Sequence, residues 1–109
     1  MTVPSARIVA FVPDLMDRSK VAAAAEGQVR FVATPGDLVT AATDADLVIV
    51  DLGRPAVLAV LAEVVAGGAR VVAFGSHVDR DTLAAARQAG CHDVVARSEF
   101  FTDLAQWLT

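Results

Sequence analysis

Short apolar runs rich in valine and isoleucine alternate along the chain with alanine-rich stretches of helical periodicity. The runs are apolar at nearly every position, which is typical of strands that are covered by helices on both faces. This pattern predicts five strands, over residues 7–12, 28–33, 46–50, 70–74 and 93–96.

The stretches between the strands carry residues that begin and end helices. Thr34 supplies a capping hydroxyl ahead of a proline at the first helical position, and Asp79 and Ser98 are predicted to cap later helices. Gly27 and Gly90 suit the left-handed conformation that ends a helix. The five predicted helices cover residues 15–26, 35–43, 55–66, 80–89 and 99–108.

Five strand–helix units predict a parallel sheet, because parallel strands need crossover connections and these connections are right-handed. Five such strands suit the flavodoxin-like order 2-1-3-4-5, a doubly wound α/β fold with helices on both faces. We find no linker or low-complexity segment and expect one domain over residues 1–109. Since the sequence ends directly after the last predicted helix, we expect no effector domain to follow.

Composition narrows the classes of partner and compartment. The net charge is −4 and no basic run occurs, so we do not expect nucleic acid as a partner. The mean hydropathy is +0.53, but the longest apolar stretch is well short of the ~20 residues that span a bilayer. The single cysteine, Cys91, fits a reducing cytoplasm. The 8 arginines against 1 lysine and the lack of asparagine indicate a GC-rich bacterial genome.

Candidate chemistry lies beyond the carboxyl ends of the strands, where doubly wound sheets bind ligands at the point of strand-order reversal. Asp14 and Asp51 are predicted to flank that point, with Ser76 after the fourth strand and Arg97 after the fifth. Two carboxylates and a cation at one rim suit a divalent ion or an anion. The alternative is that each is an ordinary turn or cap residue, since local hydrogen bonding favours aspartate and serine there.

Two stretches resemble the receiver domains of two-component response regulators. Residues 46–55, with the sequence DLVIVDLGRP, are similar to that family's third strand, and Asp51 stands at its phosphoacceptor position. Residues 77–98 are similar to its fourth helix, Ala-Gly turn and fifth strand, with Arg97 at the position of its lysine. The resemblance implies a receiver fold and, as partner, a histidine kinase, another regulator or an output protein.

The sequence departs from the family's pattern around the phosphoacceptor. The resemblance places residues 12–13, Val-Pro, where the family has an acidic pair that holds Mg²⁺, and this leaves Asp14 beside Asp51. One or two carboxylates make a weak Mg²⁺ site, and arginine does not replace lysine because its planar fork prefers bidentate partners. We therefore expect no required cofactor and only weak Mg²⁺ binding. A further hypothesis is a direct salt bridge between Arg97 and Asp51.

The family's switch residues are also altered. The family's switch residue, which carries a hydroxyl, corresponds to Gly75, and Ser76 comes one position after it. The family's aromatic switch residue corresponds to Val94. The resemblance therefore implies a degenerate receiver in which phosphorylation lacks its usual route to the output face.

The aromatic residues concentrate in the last helix. Phe101 and Leu104 are predicted to cover the sheet, whereas Phe100 and Trp107 lie on another part of the helix and are expected to be partly exposed. Receiver domains form dimers and outputs through helix 4, strand 5 and helix 5, so the resemblance makes Phe100 and Trp107 partner-contact candidates, including for a homodimer. The alternative is that both wrap the edge of a small core.

Three functions follow from these observations. The first is a stand-alone, non-enzymatic, receiver-like module that acts through protein contacts and is not efficiently phosphorylated. The second is a single-domain response regulator that accepts phosphate on Asp51. The third is a small enzyme or ligand-binding domain that uses the rim of the sheet, although no motif in the sequence supports it.

Overall fold

A five-stranded, all-parallel sheet of order β2-β1-β3-β4-β5 forms the centre of the protein, described by a computed structural model over residues 7–108. This order confirms the predicted doubly wound α/β fold. The predicted domain, residues 1–109, includes residues 1–6 and 109, which lie outside the described residues. The strands are β1 (Ile8–Phe11), β2 (Val29–Phe31), β3 (Leu47–Asp51), β4 (Arg70–Gly75) and β5 (Asp93–Ala96).

Helices cover both faces of the sheet, as predicted. Within residues 7–108, no helix is both long enough and apolar enough to cross a membrane. The helices are α1 (Leu15–Ala24), α2 (Pro35–Ala42), a 3₁₀ helix (Pro55–Val60), α3 (Leu61–Ala66), α4 (Arg80–Gln88), α5 (Arg97–Thr102) and α6 (Leu104–Trp107).

Successive side chains of the central strands point to alternate faces of the sheet, and this divides the core into two clusters. Val48 and Val50 of β3 face one cluster, which α2, the 3₁₀ helix, α3 and α4 cover. Leu47 and Ile49 face the other, which α1, α5 and α6 cover together with Phe74 of β4. Because successive side chains of a strand point to opposite faces, near-continuous apolar runs are what a sheet buried on both sides requires.

The predicted helix boundaries at capping residues are largely confirmed. The side chains of Thr34 and Asp79 accept hydrogen bonds from backbone N–H groups in the first turns of α2 and α4. Gly27 and Gly90 follow α1 and α4 with φ of 77° and 100°, a left-handed conformation that glycine adopts without a Cβ penalty.

The prediction of one continuous helix over residues 55–66 is wrong. The segment begins as a 3₁₀ helix and becomes α-helical only from Leu61. Val60 marks the change, with φ of −110° and ψ of −4°. β-Branched residues lose side-chain freedom in an α-helix, and the tighter turn still buries Val57 completely.

The last helix also differs from its prediction. Ser98 does not cap it, because α5 begins at Arg97 directly after β5 and leaves no loop for a cap. The Ser98 carbonyl instead accepts a hydrogen bond from the Thr102 hydroxyl at 2.6 Å. Asp103 then adopts φ of −142° and ψ of 74°, and this non-helical residue separates α5 from α6.

Candidate functional site

A cavity of about 310 Å³ opens at the carboxyl ends of β3, β4 and β5 and the start of α1. The structure brings the four predicted rim residues to this cavity, together with residues that the sequence did not single out. Its charged and polar lining residues are Asp14, Asp17, Asp51, Arg54, Ser76 and Arg97.

An ion pair between Asp17 and Arg97 is the dominant interaction in the cavity. The two terminal nitrogens of Arg97 donate to the two carboxylate oxygens of Asp17, at 2.7 and 2.5 Å. Asp17 lies on α1 and is only 2% exposed, whereas about half of the Arg97 side chain is accessible. These hydrogen bonds raise the pKa of the Arg97 guanidinium. The bidentate geometry fixes both position and orientation of the guanidinium.

Two aromatic rings also lie close to the same guanidinium. Its central carbon lies 4.8 Å from the centre of the Phe101 ring and 6.0 Å from that of Phe74. Both distances fall within the range of a cation–π interaction. The pair and the rings together join α1 to the start of α5.

The hypothesis of a salt bridge between Arg97 and Asp51 is wrong. Strand β4 lies between β3, which ends at Asp51, and β5, after which Arg97 comes. Asp17 presents both of its oxygens from α1, and a planar guanidinium binds such a fork better than a single distant oxygen.

Asp51 is a half-buried carboxylate that accepts no hydrogen bond from a cationic side chain within residues 7–108. Its Oδ1 accepts a hydrogen bond from the Gly53 N–H at 2.8 Å. Burial raises the pKa of the Asp51 carboxyl, and the Gly53 hydrogen bond and the charge of Arg97 offset that effect only in part. The ionised form is therefore under-stabilised where it stands.

The carboxylates of the cavity offer few free oxygens to a magnesium ion. Asp14 caps α1, since its Oδ1 accepts a hydrogen bond from the Asp17 N–H at 2.9 Å. The Asp17 carboxylate is bound to Arg97. Within the part of the chain that the structure describes, no three Asp, Glu, His or Cys side chains are grouped to hold a metal ion. The predicted metal candidates, Asp14 and Asp51, each use one oxygen in a local hydrogen bond, which leaves few of the oxygens that octahedral Mg²⁺ ligation requires.

The positions that correspond to the family's switch are filled by packing. A Cβ on buried Gly75 would lie 3.3 Å from the Cβ of Leu52 and 3.4 Å from a methyl carbon of Leu83, so a threonine or serine would be crowded there. The Ser76 hydroxyl accepts a hydrogen bond from the Val78 N–H at 3.4 Å. Val94 pairs with Ala73 in the sheet and packs against the core.

The expectation that Phe100 is partly exposed is wrong. Phe100 is completely buried and stacks on Phe74, with ring centres 4.5 Å apart. The helix begins at Arg97, two residues earlier than a cap at Ser98 predicts, and Phe100 is buried against the sheet. Phe101 and Leu104 also pack against this cluster, as predicted. Phe101 is partly buried and meets both rings edge to face. Trp107 is partly buried against the same cluster, in agreement with its predicted partial exposure.

Asp17 is the residue that sequence reasoning missed. It stands three positions after the capping residue Asp14, in the first turn of a helix that begins at the rim. A carboxylate there is favoured by the helix dipole, which supplies a local reason for its presence. The sequence did contain one indication that Asp17 pairs with Arg97. The first turn of α1 starts at the carboxyl ends of the strands, where Arg97 was already expected.

The sheet order, the flanking helices and the rim cavity define the receiver class of fold. No family model matches the sequence, and no curated protein matches it. Solved structures do match over nearly the full length.

Three of these structures illustrate the likeness. The phosphorylated cyanobacterial phytochrome response regulator RcpA superposes with a TM-score of 0.79 at 16% identity, over 97% of this chain and 96% of its own. A response regulator from Hahella chejuensis gives a TM-score of 0.79 at 22% identity, over 96% of each chain. NtrX from Brucella abortus, in complex with ADP, gives 0.73 at 23% identity over 94% of this chain, which spans only 26% of NtrX. The chain therefore has the receiver fold.

Proposed function

We propose that this chain is a receiver-like signalling or interaction module that acts in the cytoplasm through protein–protein contacts, is not an enzyme and is not efficiently phosphorylated. The observation that carries the proposal is the bidentate ion pair between Arg97 and Asp17. Arg97, which stands at the family's lysine position, is bound to Asp17 on α1. Within residues 7–108, Asp51 therefore has no hydrogen-bonded cation.

Charge is the physical obstacle to phosphorylation. Phosphoryl transfer to a carboxylate depends on positioning and on neutralising the charge that develops, and a metal ion usually supplies most of that neutralisation. Here Asp14, Asp17 and Asp51 share one cavity, and burial already raises the pKa of the Asp51 carboxyl. A phosphoryl group on Asp51 would add negative charge where the existing charge is incompletely balanced.

The partners that we propose are proteins of the same signalling class: a histidine kinase, another regulator or an output protein. The receiver fold supports this class, because its matched structures are response regulators. A homodimer through α4, β5 and α5 is retained as a prediction, without the exposed Phe100 on which it was partly based.

A direct test is to incubate the protein with Mg²⁺ and acetyl phosphate, or with Mg²⁺ and beryllofluoride. We expect no phosphoryl adduct by intact mass and no change of amide resonances around Asp51. A conventional receiver treated in parallel shows that the reagents are active. An adduct on the wild type that is absent from Asp51→Asn would overturn the proposal in favour of a phosphorylatable single-domain regulator.

A further inference from the structure

A second cavity lies at the amino-terminal end of the sheet, where β1 and β2 begin and α2 ends. Its volume is about 440 Å³, within the range of roughly 300–1,000 Å³ that is typical of small-molecule pockets. We call it the amino-end cavity. Its charged side chains are Arg7, Arg30 and Asp44, and its lining includes the buried apolar residues Ile8, Val9 and Ala41.

The two arginines of this cavity lie on the same face of the sheet. Val9 is aligned with Arg30 across β1 and β2, and Val9 and Val32 both face the core cluster under α2. Because side chains alternate along a strand, Arg30 and Arg7, each two residues from one of these valines, lie on that face as well. Hydrogen bonds between the backbone of Arg7 and Asp46 hold Arg7 in line with β1. The spacings of a parallel sheet put the Cα atoms of the two arginines roughly 8 Å apart.

These two guanidiniums have no acidic partner in the part of the chain that the structure describes. The ion pairs there are formed by Arg70 and Arg97, and neither Arg7 nor Arg30 lies within ion-pair distance of a carboxylate. Like charges that neighbour each other across strands are destabilising. An anion that binds between Arg7 and Arg30 would balance this charge, and the planar fork of arginine suits carboxylate oxygens.

The helix side of the amino-end cavity favours a positive group instead. Asp44 comes two residues after the end of α2, and its N–H donates to the Ala41 carbonyl at 3.3 Å. The carboxyl end of a helix carries partial negative charge, which adds to the charge of the Asp44 carboxylate. A ligand that fills this cavity therefore meets cations from the strands and an anion from the helix end.

We propose that the amino-end cavity binds an acidic amino acid, which places its two carboxylates against Arg7 and Arg30 and its ammonium group against Asp44. Two guanidiniums and one carboxylate give the cavity a charge of +1, which the charge of −1 on such a ligand balances. A dicarboxylate without the amine would leave Asp44 unpaired beside two anions, and a neutral amino acid would leave one guanidinium unpaired. This inference goes beyond the proposed function and does not depend on it.

The test is a titration of the isotope-labelled, full-length chain with L-glutamate and with L-aspartate at constant ionic strength, followed by NMR. We expect saturable shifts of the amide resonances around the cavity, at Gly27, Gln28, Arg30 and Asp44. Glutarate lacks the ammonium group and L-glutamine lacks one carboxylate. Each is expected to bind about tenfold more weakly or less than that, as the loss of a charge-assisted hydrogen bond implies.

Variants of the protein assign the ligand groups to side chains. Arg30→Gln is expected to weaken the binding of L-glutamate about tenfold or more. Asp44→Asn is expected to remove the preference for L-glutamate over glutarate, a change of specificity that a loss of stability would not produce. Arg87→Gln, at an exposed arginine of α4 outside the cavity, is the matched control and leaves the Kd unchanged. Thermal melting of each variant shows that it is folded.

Four outcomes would each overturn the inference. They are no saturable shift with either amino acid, shifts confined to other parts of the chain, equal binding of glutarate and L-glutamate, and inorganic phosphate binding as tightly as L-glutamate. The last outcome would show a site for anions in general. The proposed function fails separately, if the phosphodonor assay modifies Asp51, because that assay involves the opposite end of the sheet and no amino acid.

Discussion

Replacing Arg97 by alanine leaves the Asp17 carboxylate in a site where it is 2% exposed, without the cation that now binds both of its oxygens. The carboxylate cannot regain full hydration there, because α1 packs against the sheet on that side. The substitution also removes the guanidinium from the faces of Phe101 and Phe74. We therefore expect Arg97→Ala to destabilise the fold.

The size of the effect follows from how deeply each partner is buried. Removing one member of a fully buried pair costs about 3–5 kcal/mol, whereas an exposed pair contributes less than about 1 kcal/mol. The side chains of Asp17 and Arg97 are 3% and 47% exposed, which places this pair between the two limits. We therefore expect Arg97→Ala to lower the free energy of unfolding by about 2.5 kcal/mol. With an unfolding entropy of roughly 2.1 cal/mol/K per residue, that value lowers the Tm of a chain of 109 residues by roughly 11 °C.

The assay is a double-mutant cycle with Arg97→Ala, Asp17→Asn and the combined variant, measured by thermal and urea unfolding. Asp17→Asn removes the buried charge, so the combined variant should lose less stability than the two single variants added together. Arg80→Ala, at an exposed arginine, is the control, and we expect it to change stability by less than about 0.5 kcal/mol. Single effects that add to within about 0.5 kcal/mol would refute the reasoning, because groups that interact do not behave additively.

Three other substitutions test the remaining features of the site. Asp51→Asn is expected to raise Tm at neutral pH. The folded-state pKa of the Asp51 carboxyl is raised, so ionisation of this group reduces the stability of the wild type as pH increases. The difference in Tm between the variant and the wild type should therefore close in acid. Phe100→Ala is expected to cost about 3–5 kcal/mol in urea unfolding, because the buried ring stacks on Phe74, and a cost below about 1 kcal/mol would mean that the ring is not in the core. Gly75→Thr is expected to lower stability by about 1–3 kcal/mol through overpacking against Leu52, and an unchanged Tm would show that a switch hydroxyl fits there after all.

The fold was predictable because it depends on patterns that are repeated along the chain. Five apolar runs separated by helical stretches admit few arrangements once crossovers are short and right-handed. The capping residues Thr34 and Asp79 mark their helices by local hydrogen bonds, which sequence spacing captures. The 3₁₀ segment was not predictable in this way, because its apolar spacing is compatible with either kind of helix.

The location of the site was predictable, but its pairing was not. The rule that places ligands at the carboxyl ends of strands brought Asp14, Asp51 and Arg97 to one rim. Which carboxylate Arg97 binds depends on distances across α1 and β4, and spacing along the chain does not contain these distances. Asp17 also satisfied a local rule for helix starts, so its long-range role was hidden behind its short-range one. The start of α5 at Arg97, two residues before the predicted start, likewise could not be read from spacing, and Phe100 is buried where partial exposure was expected.

The Arg97–Asp17 pair also fixes a permanent cation at the rim of the sheet. A cation that is part of the chain is present at all times, unlike a metal ion or a phosphoryl group, whose occupancy changes. The pair is bidentate and backed by two aromatic rings, so no titration of the guanidinium near neutral pH releases it. The Arg97 guanidinium therefore stays bound to Asp17 across the neutral pH range, and this is why we expect Asp51 to gain no charge-assisted hydrogen bond from it.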